Sequence, residues 1–483
     1  MPQPQPSARS LASLLVAQAQ VTFNSNAANI MLLALVQYPG VVAGTDADGN
    51  KGLLCALLVS PLVLFAPLAG WVTDRFAKSR VLKFAAAAQI LLLAALALAL
   101  WFHQLAFAIT GVALLALQMT VFAPAKRSIL LEFVPAEKLS RAVGLMEMLS
   151  VSAILLGAYL GGRMFDYWVV LKGGPWQGAF WTVVVLGGSS ILGWAVLLLM
   201  RRTVPQSAEP FSAGLFIRHG ARIVELWRAR PIMRATVGIM FFYGLGFYVN
   251  LVCLQIGADA HQNGVGSASA ASVMLLMLGI GTIVGNLAAG ALSRRSVELG
   301  LVPVGGALLA MAMVALGLTA PVTGVAFHVW LGVAGFASGL FLVPLYALIQ
   351  REAGDDRRGR ILATVGLLDS LAGFSASYLF VFIAGDRFLD LSPSIQFLLL
   401  AGLTLAGLLY ALHYTLHHTI NLVLRGLSAL FYRVRVQGAE NLPATGGALV
   451  ICNHVSYIDA LILQVVLPRR TWFVAFTGAR PPG

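Results

Sequence analysis

Charged residues are scarce in this sequence: they make up 11% of the 483 positions, whereas hydrophobic residues make up 59%. Soluble domains carry about 25% charged and about 45–50% apolar residues, and disordered chains are polar. Both classes are therefore excluded. The apolar residues form runs such as 90–101 and 301–318, which lack the two-residue alternation of a transmembrane β-barrel. We expect a helical membrane protein, because each span needs about 20 such residues.

Cysteine is also scarce, and Cys55, Cys253 and Cys452 lie far apart in the sequence. Their spacing matches neither a disulfide framework nor a metal-binding motif. The histidines form no metal-ligand cluster, and no phosphate-binding glycine loop is present. We therefore expect no metal and no cofactor, and we interpret the three cysteines as buried thiols.

Acidic residues are fewer than basic ones, 19 against 32, and the basic excess has a topological explanation. Hydropathy predicts twelve spans, at 11–38, 53–73, 81–102, 104–125, 140–162, 178–200, 232–257, 267–292, 301–320, 324–350, 360–384 and 394–416. With the N-terminus in the cytoplasm, the inner side receives 28 of the 32 basic residues. This pattern follows the positive-inside rule. We expect both termini to be cytoplasmic, and the basic charge requires no nucleic-acid partner.

Two stretches of the sequence repeat each other. Pro124 matches Pro344 at an offset of 220 residues, and 144–147 (GLME) matches 366–369 (GLLD) at an offset of 222. Spans four and five thus recur as spans ten and eleven, which is the parallel repeat of major facilitator transporters. We expect five parts: an N-terminal six-helix half (1–200), an inter-half loop (201–231), a C-terminal six-helix half (232–418), an interfacial helix or linker (419–436) and a separate C-terminal segment (437–483).

The connection between spans two and three carries a second marker. Residues 70–80 read GWVTDRFAKSR, which resembles the signature of the major facilitator superfamily at this position. Such a pattern favours a gate latch at the cytoplasmic side, and an ordinary basic loop is the alternative. The candidate gating residues are Gly70, Asp74, Arg75, Lys78, Arg80 and Glu132.

Ionisable residues inside predicted spans are candidate functional residues, because their burial in a membrane is costly. Glu147 in span five and Asp369 in span eleven occupy repeat-equivalent positions and can face one another across a central cavity. Lys126 lies near the cytoplasmic end of span four. We interpret all three as substrate-binding residues, and the alternative for the two acids is that they brace neighbouring helix ends.

Span one is unusually polar and includes Asn24, Asn26 and Asn29. Amide side chains in a bilayer need hydrogen-bond partners, so this face is expected to point into the bundle. These asparagines have two possible roles. They can contact the substrate, or they can form hydrogen bonds between helices.

Three segments together resemble one family. Residues 16–29, 65–81 and 123–162 are similar to bacterial lysophospholipid transporters of the major facilitator superfamily. The resemblance implies an all-α polytopic protein with the major facilitator fold in the bacterial inner membrane. It also implies that lysophospholipids move from the outer to the inner leaflet, where they are reacylated.

Individual residues agree with this resemblance, with one departure. Lys126, Glu132 and Glu147 match the family pattern. The family has an Asp-Asn pair in span one, whereas this chain has Ser25-Asn26. A role assigned to that aspartate therefore does not transfer to Ser25.

The end of the chain has a different character. The mixture of apolar and basic residues at 419–436 predicts an interfacial helix that continues into a strand. A second, short apolar strand is predicted at 448–452, directly before Asn453 and His454. His454 and Asp459 resemble the His-x4-Asp motif of the lysophosphatidic acid acyltransferase family. This resemblance implies that His454 takes the proton of a lysophospholipid hydroxyl and that Asp459 orients the imidazole. The 24 residues after Asp459 lack the family's further motifs. We therefore expect 437–483 to be an incomplete acyltransferase-like domain, a fragment of an α/β domain that is inactive alone.

The sequence therefore predicts a lysophospholipid transporter with an acyltransferase-like tail. The expected partners are a lysophospholipid substrate, membrane lipid and an acyltransferase or acyl-carrier protein. Two alternatives remain: a proton-coupled exporter of amphipathic drugs, with Glu147 or Asp369 as the proton carrier, and an acyltransferase whose membrane half is mainly an anchor.

Overall fold

Long apolar helices dominate the structure, because only segments that satisfy their own backbone hydrogen bonds are stable in a bilayer. The computed structural model describes residues 7–38, 41, 65, 67–205, 229–262, 269–293, 297–320, 324–354, 357–384, 389–431, 434, 436–437, 442, 447–453 and 459–467. Ten helices in this part of the chain are long and apolar enough to span a membrane. The prediction of a polytopic helical protein is confirmed.

Thirteen helices are numbered here in chain order. They are α1 (Ala8–Gln37), α2 (67–75), α3 (Lys78–Trp101), α4 (Leu105–Ser128), α5 (Leu139–Lys172), α6 (Pro175–Leu198), α7 (Arg230–Gln262), α8 (Ser269–Leu292), α9 (Leu301–Thr319), α10 (Val325–Glu352), α11 (Arg358–Ala384), α12 (Pro393–Phe431) and α13 (Asp459–Val466). Local sequence sets several of these bounds. Ser7 caps α1 through a hydrogen bond from the Ser10 amide, and α5 ends at Gly173, whose φ of 78° favours glycine.

The packing repeats between the two halves. Helix α1 packs against α4, α5 and α6, and α7 packs against α10, α11 and α12 in the same way. Helix α3 contacts α4 and α6, as α9 contacts α10 and α12. Pro124 lies inside α4 and Pro344 lies inside α10, and these two helices are equivalent in the repeat. The predicted repeat of two helical halves is therefore confirmed for the described helices.

The two halves are joined mainly at one end of the bundle. We call this end the basic face; it contains the connections α2–α3, α4–α5 and α10–α11, beside residues such as Arg75, Lys138 and Arg357. One hydrophobic cluster at this end includes Leu14 and Met146 of the first half and Leu345 of the second. The other two clusters each belong to a single half. The described cores therefore hold the halves together at the basic face.

The C-terminal part differs from the sequence prediction. Helix α12 runs without a break from Pro393 to Phe431, so it includes span twelve and much of the segment expected as a separate interfacial helix at 419–436. The predicted strand at 448–452 is wrong, because residues 447–453 have no regular secondary structure. Leu449 and Ile451 are exposed there, and a strand needs a paired neighbour for its backbone groups.

The cysteines also need one correction. Cys253 is buried as expected, whereas Cys452 is exposed because it lies in this irregular segment. Cys55 lies outside the described residues.

Candidate substrate and gating sites

A charged cluster lies where the two halves meet near the basic face. Arg127 on α4 forms an ion pair with Glu147 on α5, with 3.3 Å between Nε and Oε1. Only 13% and 6% of these side chains are exposed. The Arg127 guanidinium also lies over the ring of Tyr346 on α10, 4.2 Å from its centroid. Arg127 therefore connects the two halves.

The second half completes this cluster. The Tyr346 hydroxyl donates a hydrogen bond of 3.0 Å to Oδ2 of Asp369 on α11, and the Tyr243 hydroxyl on α7 lies 3.4 Å from the Tyr346 hydroxyl. Glu147 and Asp369, predicted to face one another, are thus linked through Arg127 and Tyr346. Among the described residues, Asp369 Oδ1 is buried without a hydrogen-bond partner. An atom of this kind can accept a hydrogen bond from a bound molecule.

Lys126 belongs to a separate buried network on the first half. Its Nζ donates to Gln18 Oε1 at 3.0 Å and to Ser150 Oγ at 3.2 Å. Lys126 is 5% exposed, and both of these partners are neutral. A buried ammonium held by neutral groups is a suitable site for an anionic ligand.

The three asparagines of α1 occupy different environments. Asn24 is fully buried and its amide donates to Leu186 O at 2.8 Å and Ser190 Oγ at 2.7 Å, both on α6. Asn26 is half-buried and donates to the Thr22 carbonyl of its own helix at 2.9 Å. Asn29 is also half-buried. Asn24 therefore fits the role of hydrogen bonding between helices.

Asp74 links the two halves at the basic face. Its Oδ1 accepts a hydrogen bond of 2.8 Å from the Gly359 amide, and its Oδ2 accepts one of 3.0 Å from the Arg360 amide. Arg360 Nε lies 3.1 Å from Oδ2 as well. These amides are in the first turn of α11, so a carboxylate of one half occupies the helix N-terminus of the other.

The remaining gating candidates divide into two groups. Gly70 packs against α11, where an added Cβ would lie 2.9 Å from Arg360 Cα. Lys78, which is fully buried, pairs with Glu132 at 2.6 Å within the first half. Arg75 is half-buried and Arg80 is exposed. Only Gly70 and Asp74 among these candidates are placed directly against the second half by the described contacts.

The environment of Asp74 changes its titration. Asp74 comes directly after the apolar span 53–73 and is 1% exposed. Burial raises the pKa of Asp74 from 3.8 to about 6, although the hydrogen bonds and charge of Arg360 act in the opposite direction. Lys78 also lowers it slightly through its charge. Burial therefore makes the charged form of Asp74 less favourable than that of a solvated carboxyl.

Sequence reasoning missed two arginines. Arg127 and Arg360 are both partners of acids that the sequence had selected, Glu147 and Asp74. A buried acid within a membrane protein commonly pairs with a cation. That rule, applied to Glu147, identifies the basic residues beside Pro124 as candidates, whereas Arg360 is distant in sequence and only the fold brings it to Asp74.

The acyltransferase-like segment contacts the membrane bundle through α13. Gln464 Nε2 on α13 donates to Asn421 Oδ1 on α12 at 2.9 Å. Asp459 is the half-buried first residue of α13, and His454 lies outside the described residues. Within the described ranges, no group of three His, Cys, Asp or Glu side chains is placed to hold a metal ion.

A membrane bundle of two repeated halves with charged residues at their junction defines a secondary transporter of the parallel-repeat class. The sequence model of the Major Facilitator Superfamily matches residues 14–377, so this chain belongs to that superfamily. The protein is therefore a multi-pass membrane protein. A model named Acyltransferase matches residues 433–478.

Similar proteins within this superfamily include lysophospholipid transporters. The chain is 28% identical to the lysophospholipid transporter LplT of Citrobacter koseri over 354 residues, which cover 71% of this chain and 80% of the relative. It is 27% identical to that of Escherichia coli O157:H7 over 356 residues, covering 71% and 81%.

Solved structures share the fold. The human organic anion transporter MFSD10 superposes with a TM-score of 0.63 at 16% identity, covering 84% of this chain and 100% of that chain. The Escherichia coli fucose:proton symporter FucP gives a TM-score of 0.61 at 13% identity, covering 83% and 98%. At these identities the likeness concerns the fold alone.

Proposed function

We propose that this protein moves lysophospholipids from the outer to the inner leaflet of the bacterial cytoplasmic membrane. The relatives named as lysophospholipid transporters support this substrate. The observation that carries the proposal is the buried charged cluster of Arg127, Glu147, Tyr346 and Asp369 at the junction of the halves. The basic face is cytoplasmic in this proposal, as are both termini, because basic loops remain inside.

The cluster and the neighbouring Lys126 together have the charges that a zwitterionic head group requires. The phosphate binds Lys126 and Arg127, and an amine on the head group binds Glu147 and Asp369. The substrate then replaces the internal Arg127–Glu147 pair, so buried charges remain compensated in the empty and loaded states. Asn26 adds a polar contact from α1, as does Asn29.

Transport requires that the halves separate at the basic face, and we assign the latch to Asp74 and Gly70. Asp74 is released from the amides of Gly359 and Arg360 when this face opens. Lys78, Glu132, Arg75 and Arg80 support the same connection. The halves then rock about the central cluster, which is the general mechanism of this fold.

The tail suggests that transport is coupled to acylation. His454 and Asp459 match the general-base pair of acyltransferases, and because this fragment is inactive alone, acylation of a lysophospholipid that arrives in the inner leaflet needs a partner that supplies the missing motifs and the acyl donor. An acyltransferase or acyl-carrier protein is the corresponding partner. The match of residues 433–478 to acyltransferases supports this part of the proposal.

The test is translocation of lysophosphatidylethanolamine in proteoliposomes without an ion gradient. We expect rapid uptake by the wild type and loss of at least about tenfold in Glu147→Gln, equivalent to about 1.4 kcal/mol. Asp166→Asn is the matched control, because Asp166 is an exposed acid on the same helix. Uptake no faster than in empty liposomes, with folded protein, contradicts the proposal.

A second candidate is proton-coupled export of amphipathic compounds. The unpartnered Oδ1 of Asp369 favours it, because this buried atom can carry a proton without breaking a described hydrogen bond. Imposing a pH gradient separates the candidates. Strong stimulation that is lost in Asp369→Asn supports the exporter, and lysolipid translocation at the same rate with and without the gradient contradicts it.

A further inference from the structure

A cavity lies within the C-terminal half, and its lining includes none of the residues of the charged cluster. It has a volume of about 430 Å³ and lies between the basic ends of α7, α9, α10 and α12. Its inner wall is apolar and includes Phe241, Phe341 and Leu345. We call it the C-half cleft. A cavity of this size and lining is typical of sites for small amphipathic molecules.

Two guanidinium groups lie at the edge of this cleft. Arg234 on α7 stacks on the ring of Tyr414 on α12, 3.7 Å from its centroid. Arg351 on α10 also lines the cleft, where it pairs with Glu352 at 3.1 Å. The cleft lining therefore contains two cations and one anion, and the cation–π contact positions Arg234 without neutralising it. This combination favours an anionic group beside an apolar wall.

The mouth of the cleft opens on the outside of the bundle. Val237 on α7 is 37% exposed and Tyr410 on α12 is 46% exposed, and both residues line the cleft. Both helices are membrane spans. A ligand can therefore enter sideways from the membrane.

We propose that the C-half cleft holds one single-chain phospholipid of the cytoplasmic leaflet. The phosphate binds Arg234 and Arg351, and the acyl chain lies along Phe241 and Phe341. This proposal rests on the membrane orientation and the substrate class of the proposed function. It adds a separate holding site for the lysolipid after transport.

The position of the cleft explains why a lysolipid is held there. Tyr414 and Thr415 line the cleft, and Asn421, which binds Gln464 of α13, lies six residues beyond Thr415. Six residues of helix correspond to about 9 Å. The acyl acceptor is thus stored beside the segment that matches acyltransferases. Storage at this point limits diffusion of the lysolipid before it reacts.

Photocrosslinking tests the site. The full chain is placed in nanodiscs of diacyl phosphatidylethanolamine, and lysophosphatidylethanolamine with a diazirine on its acyl chain is added. We expect labelled peptides from 231–245 and 341–352. Gly407 faces the cleft, where an added Cβ would lie 3.6 Å from the Phe241 ring, so Gly407→Leu fills it. Labelling of the Gly407→Leu variant should be at least about fivefold weaker than labelling of the wild type.

Matched controls separate this effect from general damage. Gly402 lies on the same helix and an added Cβ there meets open space, so Gly402→Leu should label as the wild type does. Arg234→Gln should reduce labelling, whereas Arg202→Gln, which removes an exposed cation of the inter-half loop, should not. Equal labelling of Gly407→Leu and Gly402→Leu overturns the proposal.

Competition defines the ligand. Unlabelled lysophosphatidylethanolamine should compete, and glycerophosphoethanolamine, which has no acyl chain, should not. Competition by the soluble head group alone contradicts a lipid site, as does an unchanged signal with excess lysolipid. The probe reaches both leaflets in nanodiscs, so labelling needs no transport. A chain that labels the cleft but fails to translocate lysolipid overturns the transport proposal and leaves the cleft proposal standing.

Discussion

At the scale of single residues, the two neighbouring cations of α4 are compensated differently. Arg127 has an acidic partner and an aromatic ring, whereas the hydrogen bonds of Lys126 go to neutral groups. Breaking a buried ion pair costs about 3–5 kcal/mol, because one charge remains buried and uncompensated. Replacement of Lys126 breaks no ion pair and removes a charge that is costly to bury. The two residues therefore respond differently to substitution.

Arg127→Gln should lower the unfolding temperature of the purified protein by several degrees. The substitution leaves Glu147 buried without its cation. The double variant Arg127→Gln/Glu147→Gln should recover part of this loss, and the thermodynamic cycle measures the coupling. Strict additivity of the two single substitutions would contradict a direct interaction.

Lys126→Met should separate stability from transport. Methionine keeps the length of the side chain and removes a charge that is costly to bury, so the unfolding temperature should stay the same or rise. Lysolipid translocation should fall at least about tenfold. Thermal unfolding and proteoliposome uptake on the same preparation test this, and a variant with normal uptake contradicts the assignment of Lys126 to the substrate.

At the scale of helices, glycines set the distance between α5 and α8. An added Cβ at Gly144 would lie 2.5 Å from the Asn286 carbonyl oxygen and 3.1 Å from Gly290 Cα. Both contacts are with backbone, which cannot move aside as a side chain can. The crossing of these two helices joins the halves, so its spacing affects the whole bundle.

Gly144→Ala should therefore destabilise the protein by about 1–3 kcal/mol, as overpacking does elsewhere. Gly162→Ala is the control on the same helix, because its Cβ would meet only Ile30 Cγ2 at an ordinary 3.6 Å. Thermal unfolding of the two variants side by side gives the comparison. Similar unfolding temperatures would contradict the close approach of α5 and α8.

At the scale of the whole molecule, the halves are closed at the basic face through Asp74 and α11. Burial raises the pKa of Asp74 to about 6, so the closed state binds the Asp74 proton more tightly than an open state with a solvated carboxyl does. The closed state should therefore gain population as the pH falls through about 6, and lose this advantage as the pH rises above it.

Spin labels on Glu137→Cys and Gly354→Cys, exposed positions on different halves, measure this equilibrium. The fraction of short distances should increase from pH 7.5 to pH 5. Asp74→Asn has no titrating group at this position and should show no such dependence. A distance distribution that changes equally with pH in both forms would assign the effect to other groups.

The fold can be predicted largely from the sequence, whereas the site can be predicted only in part. Apolar runs and the match of 144–147 with 366–369 were sufficient to predict a polytopic helical protein of two repeated halves, because hydrophobicity and repetition are local properties. From the sequence, Glu147 and Asp369 were predicted to be equivalent acids that can face one another, and their role in substrate binding stays a prediction. The sequence did not predict their connection through Arg127 and Tyr346, because this connection depends on helix rotation and on distances between segments far apart in sequence.

The sequence by itself determined the membrane character, the parallel repeat and the residues that are costly to bury. Only the tertiary structure decided that Asp74 occupies the N-terminus of α11, that Asn24 binds α6, and that α12 continues to Phe431. The physical reason is the range of the interactions. Hydropathy acts within one segment, whereas capping of a distant helix and an apolar cleft between four helices exist only when those helices are packed together.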